Sequence, residues 1–214
     1  MAFEDLKFVE TNPDLIFCFD DILDIPTLSK ISNFGWDTLP FTRSKSNGLI
    51  KTFSYFPGDL DFLETLTVNG IRCLQSKDSS ASLKNVASFL FNLSEDNGIM
   101  TRSVIHPDVF ETGGKWTMLY HLDGNSGPTD FYNNSVKNIV VKSVEFKPNR
   151  LIIFPGIYMH RGSLPDSGTR LVVNIRCEFD TKFNTEILNR SPVLQKRYQQ
   201  DYISASCGSL LQPL

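Results

Sequence analysis

The sequence predicts a mostly-β domain of the sandwich or barrel kind, preceded by a helical layer, and three observations carry that expectation. Residues 99–179 break into short apolar runs (99–105, 116–122, 129–132, 139–146, 151–154 and 169–179) with Gly, Asn and Pro between them, the pattern of closely spaced strands. The chain is rich in Phe, 17 among 214 residues, which suits a sheet-rich core. Residues 58–97, by contrast, repeat apolar side chains at helical spacing.

Taken in order, Asn12-Pro13-Asp14 precedes the apolar run Leu15-Ile16-Phe17-Cys18-Phe19, which reads as a short strand. Asp20-Asp21 then leads into a helix expected over 25–34. Residues 35–57 are aromatic and turn-rich and are expected to hold one or two strands, 49–56 being the clearest. Two helices are expected within 58–97. The first carries Leu60, Phe62, Leu63 and Leu66, the second Leu83, Val86, Phe89, Leu90 and Leu93, with breaks at Asn69-Gly70 and at Lys77-Asp78-Ser79-Ser80. The six runs listed above follow, and a polar tail after Asp180 is expected to be helical over 191–202. The organisation is one structural domain in three stretches: a strand and helix layer over 1–97, a β core over 98–180 and a tail over 181–214.

Composition narrows the function classes. Hydrophobic residues make up 41% and charged residues 21% of the chain, ordinary values for a globular protein. A net charge of -3 gives no general attraction to nucleic acid. Cys18, Cys73, Cys177 and Cys207 form no CxxC pair and read as free thiols in a reducing compartment. No basic segment followed by an apolar stretch opens the chain, and no apolar run approaches the roughly 20 residues that span a bilayer. A cytoplasmic location away from membranes is expected.

The chain has three histidines, His106, His121 and His160, all in the β half. Within Val104-Ile105-His106-Pro107-Asp108, an imidazole and a carboxylate stand two residues apart, so extended backbone projects both to one side. His160 closes the run Leu151-Ile152-Ile153-Phe154-Pro155-Gly156-Ile157-Tyr158-Met159-His160, far enough along for a neighbouring strand to return to the same mouth. Two imidazoles and one carboxylate on one side of an ion leave its other side open, which suits non-haem Fe(II). Singly, each of these residues is more often structural than a ligand. Arg170 begins the run Leu171-Val172-Val173-Asn174-Ile175-Arg176, so Arg170, Val172, Asn174 and Arg176 share one face of a strand. A guanidinium on that face can grip a carboxylate through two parallel hydrogen bonds, and a buried one needs such a partner.

With these blocks in place, residues 106–179 resemble the 2-oxoglutarate/Fe(II) dioxygenase superfamily, specifically its prolyl-4-hydroxylase-like branch. The blocks are His106-x-Asp108, Met118-Leu119-Tyr120-His121-Leu122-Asp123, Gly127-Pro128-Thr129-Asp130-Phe131-Tyr132, Phe146-Lys147-Pro148-Asn149-Arg150-Leu151-Ile152-Ile153-Phe154, His160 and Gly168-Thr169-Arg170. The resemblance implies a double-stranded β-helix (jelly roll) with the helical layer packed on one sheet. It implies iron on His106, Asp108 and His160, with 2-oxoglutarate held by Arg170, and ascorbate as a candidate reductant. His121 stands where the family often has a tyrosine that contacts the same carboxylate, with Tyr120 beside it. Asn174, on the Arg170 face, is a further candidate for the cosubstrate site. Arg176 resembles the second arginine of the DNA-repair demethylase branch. Asn149 replaces a usual turn glycine, which Asn tolerates. The implied activity is hydroxylation of a peptide or protein side chain, or of a small molecule, with release of succinate and CO2. The alternatives are a non-catalytic jelly-roll binding or assembly domain, and a cupin-type metalloenzyme. Neither the substrate nor the oligomeric state is legible.

Overall fold

A computed structural model describes residues 10–32, 42–43, 50–55, 61–95, 105–108, 115–124, 127–133, 139–165 and 167–190. Its elements are β1 (Phe17–Phe19), α1 (Ile25–Ser32), β2 (Thr42–Arg43), β3 (Ile50–Tyr55), α2 (Asp61–Gln75), β4 (Ser82–Glu95), β5 (Lys115–Gly124), β6 (Thr129–Tyr132), β7 (Val140–Val144), β8 (Arg150–Pro155), β9 (His160–Gly162), β10 (Thr169–Asp180) and α3 (Phe183–Asn189). The strands form a seven-stranded sheet in the order β1-β8-β5-β10-β4-β3-β2 and a three-stranded sheet in the order β7-β6-β9, with antiparallel pairing throughout.

Alternation along the strands of the large sheet separates two cores. On one face Met118, Tyr120, Leu151, Ile153, Leu171, Val173 and Ile175 pack against Leu63, Leu66 and Leu74 of α2 and Ile31 of α1. On the other face Leu119, Ile152, Phe154 and Val172 meet Phe131 and Val144 of the small sheet. Two antiparallel sheets facing one another across a core, with helices covering the outer face of one, are the jelly-roll architecture expected above. Each large side chain buried there contributes about 1.5–3 kcal/mol. No described helix is long and apolar enough to cross a membrane.

The segment 58–97 corrects the sequence reading twice. Asn69-Gly70 does not break a helix: α2 runs straight through it. Gly70 is there because a Cβ would run into the Met118 sulfur, so the glycine lets α2 settle on β5. The second expected helix is instead β4, a 14-residue strand between β10 and β3. Its partners on β10 shift register between Arg176 and Cys177 and again between Glu178 and Phe179, leaving Ala87 and Lys84 as extra residues on β4. Each bulge adds one residue to the strand period, so the core-facing side chains fall at Leu83, Val86 and Phe89 before resuming alternation at Phe91 and Leu93. Two bulges in succession thus imitate helical spacing.

The expected strands over 116–122, 129–132, 139–146, 151–154 and 169–179 appear as β5, β6, β7, β8 and β10. The strand expected over 99–105 lies outside the described residues except for Ile105, and the tail helix expected over 191–202 lies outside them entirely. The short α3 directly after β10 was not expected. Asn184 fixes it by accepting from Trp116 Nε1 at 3.0 Å and donating to the Phe179 carbonyl at 2.9 Å.

Candidate metal centre

His106 joins the small sheet through a single antiparallel bridge to His160, each backbone N–H donating to the other's carbonyl at 3.0 Å. Two residues on, the Asp108 N–H donates to the Gly156 carbonyl at 2.9 Å, which pins the carboxylate beside the same strand end. His106, Asp108 and His160 thereby bring one ligand atom each to within 4.8 Å of one another. His160 Nε2 lies 3.6 Å from Asp108 Oδ2, and His106 Nε2 lies 4.0 Å from Asp108 Oδ1. Asp108 and His160 are buried, whereas the His106 side chain is 43% exposed and marks the open side of the cluster.

The tautomer of His160 follows from its partner. Its Nδ1 sits 3.0 Å from the Tyr158 carbonyl, which can only accept, so Nδ1 carries the proton and Nε2 turns a lone pair toward the cluster. Burial moves the His160 pKa below the ordinary imidazole value against the pull of Asp108, which favours the neutral ring. Burial pushes the Asp108 carboxyl up, but His160, His106 and Arg176 outweigh it and hold the group below the usual carboxylate value. The Thr117 hydroxyl adds to this without completing a hydrogen bond of normal geometry. Asp108 Oδ1 accepts from Asn174 Nδ2 at 2.9 Å, and Arg176 Nη2 stands 3.9 Å from the same oxygen. Asp108 Oδ2 is buried with no hydrogen-bond donor. A buried anionic oxygen without a donor costs on the order of 1–3 kcal/mol or more. That orphan, beside an imidazole lone pair, fits a divalent metal ion.

Arg170 and His121 form a second group on the same inner face. Arg170 is buried; its Nη2 donates to Thr129 Oγ1 at 3.2 Å, its guanidinium lies over the Phe146 ring at 5.6 Å, and its Nε has no acceptor. Among the described residues no acid pairs with it, and burial alone lowers its pKa to about 10. Gly162 leaves the room it occupies: a Cβ there would stand 2.6 Å from Arg170 Nη1. His121 is fully buried and stacked on Phe146, ring centroids 4.5 Å apart and planes 16° apart. Burial first, then Arg170, drives its pKa down to about 2, so it is neutral. Its Nδ1 accepts from the Lys147 N–H at 3.3 Å, which leaves the proton on Nε2, a buried donor with no acceptor.

Of the residues singled out from sequence, His106, Asp108, His160, Asn174 and Arg176 converge at one end of this face, with Arg170 and His121 at the other. Tyr120 does not belong with them. Strand alternation turns it to the opposite face, where it is buried in the helix-side core and donates to Asn149 Oδ1 at 2.9 Å. Asn174 meets Asp108 rather than the Arg170 end. Sequence reasoning missed Thr129, Phe146 and Gly162 as parts of the Arg170 surroundings. The nearest signal was Gly162, two residues after His160 and opposite Thr129 in the β9–β6 pairing.

The fold is a double-stranded β-helix of the kind found in 2-oxoglutarate/Fe(II) oxygenases. Solved structures of that kind share its fold. A Pseudomonas putida prolyl-4-hydroxylase is similar over 77% of this chain and 92% of its own, with a TM-score of 0.56 and 13% identity. A Trichoplax adhaerens prolyl hydroxylase, solved in complex with a hypoxia inducible factor peptide fragment, matches over 78% and 84% (TM-score 0.58, 14% identity). HygX from Streptomyces hygroscopicus, solved with nickel and 2-oxoglutarate bound, matches over 86% and 88% (TM-score 0.54, 9% identity). No protein-family model and no curated protein sequence matches the chain.

Proposed function

We propose that this protein is an Fe(II)- and 2-oxoglutarate-dependent oxygenase that hydroxylates a peptide or protein side chain, or a small molecule, releasing succinate and CO2. The observation that carries the reading is the pairing of two opposite deficits on one inner face. Asp108 Oδ2 lacks a donor beside a neutral imidazole, while Arg170 Nε and His121 Nε2 lack acceptors. Arg170 and Asn174, which holds Asp108, are four residues apart on β10, about 13 Å along the strand.

In this reading His106, Asp108 and His160 would hold the ion, which together with the oxo-acid supplies the O2-activating chemistry for attack on a C–H bond. The chain's own side chains do the rest. The Tyr158 carbonyl keeps His160 in the tautomer that offers Nε2. Arg170 anchors the far carboxylate with charge-assisted hydrogen bonds, His121 Nε2–H donates a second, and Phe146 walls both from water. His106, on the exposed side, marks where substrate approaches. The prolyl hydroxylases of the same fold support a peptide as the leading substrate class.

The test is anaerobic addition of Fe(II) and then 2-oxoglutarate to the purified chain, followed by air and a succinate assay. A weak visible band and slow succinate release are expected. Absence of both would leave a non-catalytic jelly-roll domain as the better description.

A further inference from the structure

We infer that Asn174 is a positioning residue that fixes Asp108 so that only Oδ2 faces the ion, with Arg176 reinforcing the hold on Oδ1. The inference deepens the metal-site reading above and rests on it. The two carboxylate oxygens have different surroundings. Oδ1 accepts from Asn174 Nδ2 at 2.9 Å, has Arg176 Nη2 at 3.9 Å, and lies 4.0 Å from His106 Nε2. Oδ2 has no donor and lies 3.6 Å from His160 Nε2.

The Asn174 amide has one stable orientation here. Turning it over would set Asn174 Oδ1 against an anionic oxygen, two acceptors face to face. Asn174 is itself buried in the middle of β10, between strand neighbours Leu90 and Leu119. A side chain held there cannot swing away as a surface residue would. Its own Oδ1 has no partner, so the donation to Asp108 is the hydrogen bond its side chain makes. Arg176 is more exposed, at 38% of its side chain, and its longer contact is electrostatic support.

A carboxylate that ligates through one oxygen occupies one position on an ion, and one that ligates through both occupies two. An oxygenase that must seat an oxo-acid and O2 on the same ion needs those positions free. Asn174 withholds Oδ1 and so preserves the open side of the site. A purely structural Asn174 would only satisfy a buried carboxylate, and its loss would cost stability without changing how metal is held.

Cobalt(II) titration separates the two roles, because its visible bands report coordination number directly. For Asn174→Ala we expect cobalt affinity to fall roughly 10–100-fold, with a changed band shape and a metal-free melting temperature within a few degrees of the wild type. Arg176→Gln should lower affinity less and keep the wild-type band shape. Should Asn174→Ala fail to fold, Asn174→Ser carries the same comparison. Wild-type affinity and spectrum in the folded Asn174 variant would overturn the inference, as would a loss of affinity accounted for by unfolding of the metal-free chain. A wild-type chain that binds no cobalt would sink the metal-site reading itself, a result distinguishable from both.

Discussion

The two ends of the inner face make an instructive contrast. Each has a buried core, Asp108 and His160 at one end and Arg170 and His121 at the other, and β10 contributes to both. At the His106, Asp108 and His160 end, the candidate ligand atoms left uncommitted are acceptors, a carboxylate oxygen and an imidazole lone pair, although Arg176 Nε beside them is an unpartnered donor. At the Arg170 and His121 end they are donors, and the nearby rings and hydroxyl give the cation no counter-charge. A folded chain that wanted only stability would have paired the two ends with each other or replaced them with apolar groups. Keeping them apart, each short of what the other has, is what the proposed pairing of a cation with a small anion requires.

Substitutions at the two ends should therefore have separable effects. The largest is expected for Asp108→Ala or His160→Ala, which should abolish divalent-metal binding in calorimetric titration. Equal loss of metal in Arg170→Gln would collapse the distinction between the ends. Next, Arg170→Gln should keep the metal while weakening 2-oxoglutarate by roughly 10–100-fold, the worth of one charged hydrogen-bonding group of about 1.5–3 kcal/mol, read from the anaerobic visible band.

A smaller effect distinguishes His121. Its folded pKa near 2 lies far below the ordinary 6.5, so the unfolded chain binds a proton that the folded chain refuses. Its contribution to stability is full above about pH 6.5 and is lost as pH falls, at up to about 1.4 kcal/mol per pH unit. His121→Phe should flatten that slope in urea unfolding between pH 7 and 5, while also weakening 2-oxoglutarate. An unchanged slope would mean the ring titrates normally in the fold. Smallest of all, Tyr120→Phe should cost about 1 kcal/mol of stability through the lost bond to Asn149 and leave 2-oxoglutarate affinity untouched. A drop in that affinity would return Tyr120 to the cosubstrate site.

The sequence made some of this legible because local pattern and tertiary role agreed. The even spacing of His106 and Asp108, and of Arg170, Asn174 and Arg176, translates directly into shared faces on extended backbone. Strands β5 to β8 and β10 were visible as apolar runs between turn residues. Where local pattern misled, packing had overridden it. The β4 bulges at Lys84 and Ala87 stretched a two-residue period toward three, and a bulge is fixed by the register of the neighbouring strand rather than by its own residues. Gly70 looked like a helix break but serves close approach to Met118. Tyr120 and His121 could not be told apart as site residues without knowing which face of β5 looks inward. Asn174 was placed on the right face, yet its partner Asp108 lies 66 residues away in sequence, a pairing no local pattern carries.

The bare backbone at Gly162 has a consequence for chemical selectivity. Because the guanidinium rests against the place a methyl group would take, that position limits where the Arg170 head can lie. Filling it with alanine should displace the Arg170 head and, in the proposed cosubstrate site, change which oxo-acid is held best. Ranking oxaloacetate against 2-oxoglutarate in Gly162→Ala and in the parent chain would read that effect.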